Sequence, residues 1–179
     1  MTIKKPRLIH NFKDVPMGEG VKKYSKLYRD IKHIYENVDE SLADDTVMYE
    51  VYSIEEGENY AGNLHWGLTV MNPVLVSGEC NMTRGHFHED LRCNEYYYGA
   101  SGEGLLMFLD EKGIWCEEVY EGSLHNISGA TAHRLINTGK NQLKVIAAWS
   151  STAGLDYERV EKAPFSKRVY RIEDDIEFK

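Results

Sequence analysis

From Thr46 onward the apolar residues of this chain recur at every second position, in short stretches separated by glycine-bearing turns. Val47, Tyr49 and Val51 alternate with Met48, Glu50 and Tyr52. Successive side chains on an extended strand point to opposite faces, so this pattern describes a strand with one face buried. Further β-rich runs follow at residues 65–71, 93–98, 104–109, 114–120, 143–149 and 168–172. Between them lie Ser-Gly-Glu-Gly, Glu-Lys-Gly, Glu-Gly-Ser and Thr-Gly-Lys-Asn, the chemistry of tight turns. Many short strands joined this way fold into a sandwich or barrel, and an eight-stranded jelly roll encloses a cavity of ligand size.

The first part of the chain reads differently. Val21, Tyr24, Leu27, Tyr28, Ile31, Ile34, Tyr35 and Val38 recur at intervals of three and four, which predicts an amphipathic helix packed on the outside of the domain. The expected division is an N-terminal extension over 1–45, a barrel over 46–150, and a C-terminal segment over 151–179 packing on it. A chain of 179 residues with 42% apolar content holds one domain's worth of core.

The net charge of -8, with no basic run to offset it, argues against nucleic acid or an anionic membrane as partner. Cys80, Cys93 and Cys116 are odd in number and lack the Cys-x-x-Cys spacing of disulfide frameworks and thiolate zinc sites, so a reducing compartment is expected. The first residues lack the apolar core of a cleavable leader, and no apolar run approaches the ~18 residues that cross a bilayer. These readings make a soluble, cytoplasmic protein the expectation.

The densest chemical signal is His86-Phe87-His88, with Glu95 seven residues after His88 and His133 further on. Two imidazoles one residue apart share a face of an extended segment and can enter one cavity. A turn after His88 would return Glu95 on a neighbouring strand, and His133 would complete a shell of three imidazoles and one carboxylate. Such a shell suits Fe(II), Mn(II) or Ni(II) with open positions for substrate. Glu95 is then the carboxylate placed to move a proton, and Tyr97, two residues along, shares its face. His65 and His125 are expected to be structural, and His10 and His33 to have no role.

With Gly85-His86-Phe87-His88, Glu95, Gly102-Glu103-Gly104 and a His133-bearing second half, the chain resembles a cupin, the double-stranded β-helix. More narrowly, Leu68-Thr69-Val70, Met82-Thr83-Arg84-Gly85-His86-Phe87-His88, Ala132-His133-Arg134 and Ala153-Gly154-Leu155-Asp156-Tyr157 resemble the cupin-type phosphoglucose isomerases. The resemblance covers most of residues 46–170.

It implies an all-β jelly-roll barrel with a short helical N-terminal segment. The implied activity interconverts glucose 6-phosphate and fructose 6-phosphate, with a metal on His86, His88, Glu95 and His133. Fe(II) is the first choice, with Mn(II), Ni(II) or Zn(II) as alternatives. Thr69, Thr83 and Gly85 match the positions that cradle the phosphate, and Tyr157 matches a tyrosine lining the pocket. A homodimer is expected, since open sheets leave edges to cover. Two departures stand out: Trp149 replaces a tyrosine, and Leu155 replaces a histidine. Neither new side chain accepts a hydrogen bond. Two other functions use the same residues: a metal-dependent dioxygenase, because this shell also activates O2, and a sugar-phosphate-binding cupin without turnover.

Overall fold

A computed structural model describes residues 3–12 and 14–179. Strands dominate it. After the ribbon of β1 (Leu8–Ile9) and β2 (Met17–Gly18) come β3 (Val21–Leu27), the short helix α1 (Tyr28–Ile31) and a 3-10 turn at Lys32–Ile34. Then follow β4 (Val47–Ile54), β5 (Leu64–Met71), β6 (Leu75–Val76), β7 (Glu79–Cys80), β8 (Glu95–Ser101), β9 (Gly104–Asp110), β10 (Gly113–Val119) and β11 (Leu124–Ile127). The last elements are β12 (Ala132–Asn137), β13 (Leu143–Ser150), helix α2 (Tyr157–Lys162), β14 (Val169–Ile172) and β15 (Asp175–Phe178).

The large sheet has six strands in the order β11-β8-β13-β5-β4-β3, and a three-stranded sheet runs β10-β9-β12. Isolated bridges Met82↔Ile136 and His86↔His133 lay the segment before β8 along the free edge of β12. The architecture is mostly β, as the period-two pattern predicts, and is the cupin-type jelly roll that the resemblance implies. Met48, Met71, Leu106, Phe108, Ile127 and Leu143, on strands of both sheets, join one buried core. All six residues of β12 are buried, the polar His133, Arg134 and Asn137 among them, so the strand is covered on both faces.

One expectation is overturned. The helix predicted over residues 21–38 is for its first seven residues a strand, β3, and the helical part is Tyr28–Ile31 followed by the 3-10 turn at Lys32–Ile34. β3 pairs antiparallel with β4 from Val21↔Ile54 to Leu27↔Val47. The edge of β4 offers backbone partners, and Lys22–Glu55 and Lys23–Glu50 ion pairs at 2.7 Å reinforce the pairing. Local apolar spacing cannot register a partner that lies twenty or more residues away, and such partners override weak helix propensity. The chain turns helical only where the Leu27 N–H donates to the Asp30 carboxylate at 3.0 Å.

A buried carboxylate ties the ends of the domain together. Glu79 is 1% exposed; its Oε2 accepts from the Glu36 amide and its Oε1 from the Arg168 guanidinium, each at 2.8 Å. Removing the cation strands the carboxylate in the interior. Arg168→Met is expected to cost about 3 kcal/mol of stability, read as a lowered urea midpoint at unchanged slope.

Candidate active site

The jelly roll encloses a cavity of about 500 Å³. β8 contributes Glu95 and Tyr97, which alternate onto its inner face, and β12 contributes His133. His86 faces His133 across a short antiparallel bridge, in which the His86 amide donates to the His133 carbonyl at 3.3 Å and the reverse bond is 3.1 Å. The His86 and His88 rings lie nearly parallel with centroids 5.7 Å apart, as alternation on an extended segment requires. His86, His88, Glu95 and His133 place their ligand atoms within 4.8 Å of one another. The four residues picked out by spacing are therefore brought together.

Their hydrogen bonding tests whether a cation fits. His88 Nδ1 lies 2.6 Å from the Cys93 carbonyl oxygen, which can only accept, so Nδ1 carries the proton and Nε2 presents a lone pair. That lone pair faces Glu95 Oε1 at 3.5 Å, and His133 Nε2 lies 2.6 Å from the same oxygen. Glu95 is 5% exposed and both imidazoles 1% exposed. Glu95 Oε1 is buried with no well-aligned hydrogen bond, although His133 Nε2 lies 2.6 Å away. Lone pairs converging on a dry point call for positive charge between them, which protons on the imidazoles or one divalent cation can supply, and the cation fits all four groups at once.

The electrostatics agree. Burial pushes the His86 imidazole down to about 3, helped by the nearby His133, so it stays neutral and ready to coordinate. Burial alone would raise the Glu95 carboxyl, but protonated His133 and His88 facing it outweigh burial and hold it down at about 2, and Glu95 in turn raises His88 against its own burial, so positive charge is favoured between these groups. Burial and the Glu95 charge push the Tyr97 hydroxyl well above its ordinary value, so it remains a donor. Tyr97 Oη lies 3.5 Å from His133 Nε2.

Thr69, Thr83, Gly85 and Tyr157 line the same cavity. Thr83 Oγ1 accepts from the Leu135 amide at 3.0 Å, which leaves its own proton free to donate into the cavity. Gly85 has φ +79°, and a Cβ there would lie 2.9 Å from the Phe165 ring and 3.2 Å from the His133 carbonyl, so glycine is required for the close approach. Arg84 also reaches the cavity; its guanidinium sits 4.4 Å over the Tyr157 ring and pairs with Glu161 on α2. Trp149 closes over Gly67, where a Cβ would meet its ring at 3.0 Å, and Leu155 is half-exposed at the mouth.

Other histidines separate cleanly. His65 borders the cavity and packs edge-on against Trp149 at 5.6 Å. His125 bonds to Glu117 at 2.6 Å and Ser123 at 2.9 Å, away from the cavity. Sequence reasoning missed Tyr24 and Lys26 on β3 and Tyr49 and Ser53 on β4, which form the far wall. The period-two placement of Tyr24 and Lys26 was present, hidden beneath the stronger helical spacing.

The model of the glucose-6-phosphate isomerase family matches residues 21–177. The chain belongs to this family, in its cupin form. It is 36% identical to a glucose-6-phosphate isomerase of Thermococcus kodakarensis over 165 residues, 89% of this chain and 85% of that one. A protein of Rhizobium meliloti named putative glucose-6-phosphate isomerase 1 is 30% identical, covering 82% of this chain and 71% of that one. Vicilin from hazelnut, Corylus avellana, shares the fold at 12% identity with a TM-score of 0.51 over 89% of this chain and 32% of its own. Family membership makes the chain an isomerase and implies a phosphorylated hexose as substrate.

His88→Ala removes one of the four converging donors. Elemental analysis after loading with Mn(II) or Ni(II) is expected to show loss of stoichiometric metal with an unchanged far-ultraviolet spectrum; full retention of metal would contradict the ligand set.

Proposed function

We propose that this cavity interconverts glucose 6-phosphate and fructose 6-phosphate with the help of a divalent transition metal held by His86, His88, Glu95 and His133. Fe(II) suits the three-nitrogen, one-oxygen shell, as do Mn(II) and Ni(II), with Zn(II) a further candidate. The observation that carries the reading is the meeting, in one cavity of an isomerase-family chain, of that donor set with the Thr69, Thr83 and Gly85 cradle.

The two features divide the work. Hydroxyls of Thr69 and Thr83 and the Gly85 amide donate to the phosphate oxygens, fixing the far end of the sugar. A bound divalent cation polarises the hydroxyl and carbonyl oxygens of the sugar and acidifies the intervening C–H bonds. Glu95 takes the proton from one of the two carbons and returns it to the other. Tyr97 and Tyr157, both raised by burial and kept protonated, donate to sugar oxygens as charge develops there. Trp149 donates through its indole N–H but cannot accept, and Leu155 only excludes water. Sugar-ring opening therefore falls to groups other than these two.

The acidic surface, free cysteines and metabolic substrate favour a cytoplasmic enzyme of sugar breakdown and synthesis. Among the described residues no helix is long and apolar enough to cross a membrane. β3 and β11 end the large sheet with unpaired edges, and pairing across such an edge favours a homodimer.

The test is a coupled assay with fructose 6-phosphate on metal-loaded protein, before and after exhaustive chelation. Turnover that vanishes with the metal and returns on its readdition is expected. Turnover indifferent to chelation excludes the metal's role, and substrate-dependent oxygen uptake without isomerisation selects dioxygenase chemistry instead. Thr83→Val deletes one hydroxyl donor to a charged acceptor and is expected to weaken fructose 6-phosphate binding by ~1.5 to 3 kcal/mol, measured calorimetrically.

A further inference from the structure

The charges around the cavity are almost all spoken for. Glu95 faces imidazoles, Glu55 is paired with Lys22 at 2.7 Å, and Arg84 is held by Glu161 and the Tyr157 ring. Lys26 is the exception: its side chain borders the cavity, is exposed, and has no charged or hydrogen-bonding partner among the described residues. It stands on β3, opposite Tyr49, and Tyr49 in turn reaches the Arg84 backbone. In the next row toward the centre of the sheet, Tyr24, Val51 and Thr69 are paired across β3, β4 and β5. Lys26 thus lies on the Thr69 and Thr83 side of the cavity, at the opposite end of these strands from the Glu95, Trp149 and His65 row.

The strand is shaped at this point. The register of β3 against β4 shifts between Lys26 and Leu27, so that Lys26 pairs with Tyr49 and Leu27 with Val47. Such bulges re-aim a side chain and are common beside active sites.

We propose that Lys26 supplies the positive charge that neutralises the substrate phosphate, an assignment that rests on the isomerase reading of this cavity. Threonine hydroxyls and a glycine amide give the phosphate geometry but no counter-charge. In a protein of net charge -8, a dianion needs one. An ammonium on a four-carbon stem at the rim can fold over the phosphate once it is seated, and the anionic sugar is thereby selected over the free sugar.

Lys26→Met keeps the length of the stem and removes the charge, and an exposed position on a paired strand tolerates it. Two measurements decide: calorimetric binding of inorganic phosphate, and kinetics with fructose 6-phosphate on the metal-loaded protein. Lys26→Met is expected to weaken phosphate binding and raise KM by about tenfold each, with kcat changed by less than about threefold. Lys26→Arg recovers most of both, and added salt narrows the gap between the unsubstituted protein and Lys26→Met. Phosphate affinity and KM unchanged in Lys26→Met overturn the assignment. If phosphate binding depends on Lys26 while the unsubstituted protein turns over no hexose phosphate, the isomerase reading falls and the anion site stands.

Discussion

Two backbone hydrogen bonds, from His86 to His133 and back, are the hinge on which the site depends. They lay the segment 82–87 against β12, and in doing so set His86 opposite His133 and Gly85 against the His133 carbonyl. The same stretch brings His86, with His88 just beyond it, to the Glu95 and His133 cluster, and brings Thr83 and Gly85 to the cavity wall. A slip of one residue would turn each of these side chains to the opposite face. Thr83 guards against it twice, since its amide donates to the Leu135 carbonyl and its hydroxyl accepts from the Leu135 amide.

What the segment assembles is costly by itself. A carboxylate and three imidazoles, nearly all removed from water, cluster with lone pairs aimed inward. Folded proteins hold such arrangements where a cation or a reaction uses them. The supporting contacts are the ones that fix tautomers and angles, above all the Cys93 carbonyl behind His88. Elsewhere the cavity wall carries neutral donors, the Arg84 guanidinium paired with Glu161, and the Lys26 ammonium, which has no partner among the described residues. The cavity therefore differs in charge along its length, anionic at Glu95 and cationic at Arg84 and Lys26.

Much of this was legible in the chain. Alternation from Val47 onward located most of the long strands, and the His86, His88, Glu95, His133 spacing named the converging donors, because both signals depend on local geometry that side-chain order reports directly. β12 was less visible: buried on both faces, it shows no alternation. β3 was read as helix, since Val21, Tyr24, Leu27 and Tyr28 satisfy a 3.6-residue period as well as chance allows, and the partner that makes them a strand lies beyond Asp45. That misreading hid Lys26 and Tyr24 from the inventory of the cavity.

Sequence alone determined that this chain would be β-rich and would carry His86 and His88 on one face of an extended segment, because strand period is a property of neighbouring residues, while the resemblance supplied the jelly roll and the meeting with Glu95 and His133. Tertiary structure alone decided which strand forms the outer wall of the cavity, where Arg84 points, and that Lys26 stands at the cavity without a partner among the described residues. These outcomes depend on register between strands far apart in the chain and on competition among charges in space, and neither is written in the order of residues along a single segment.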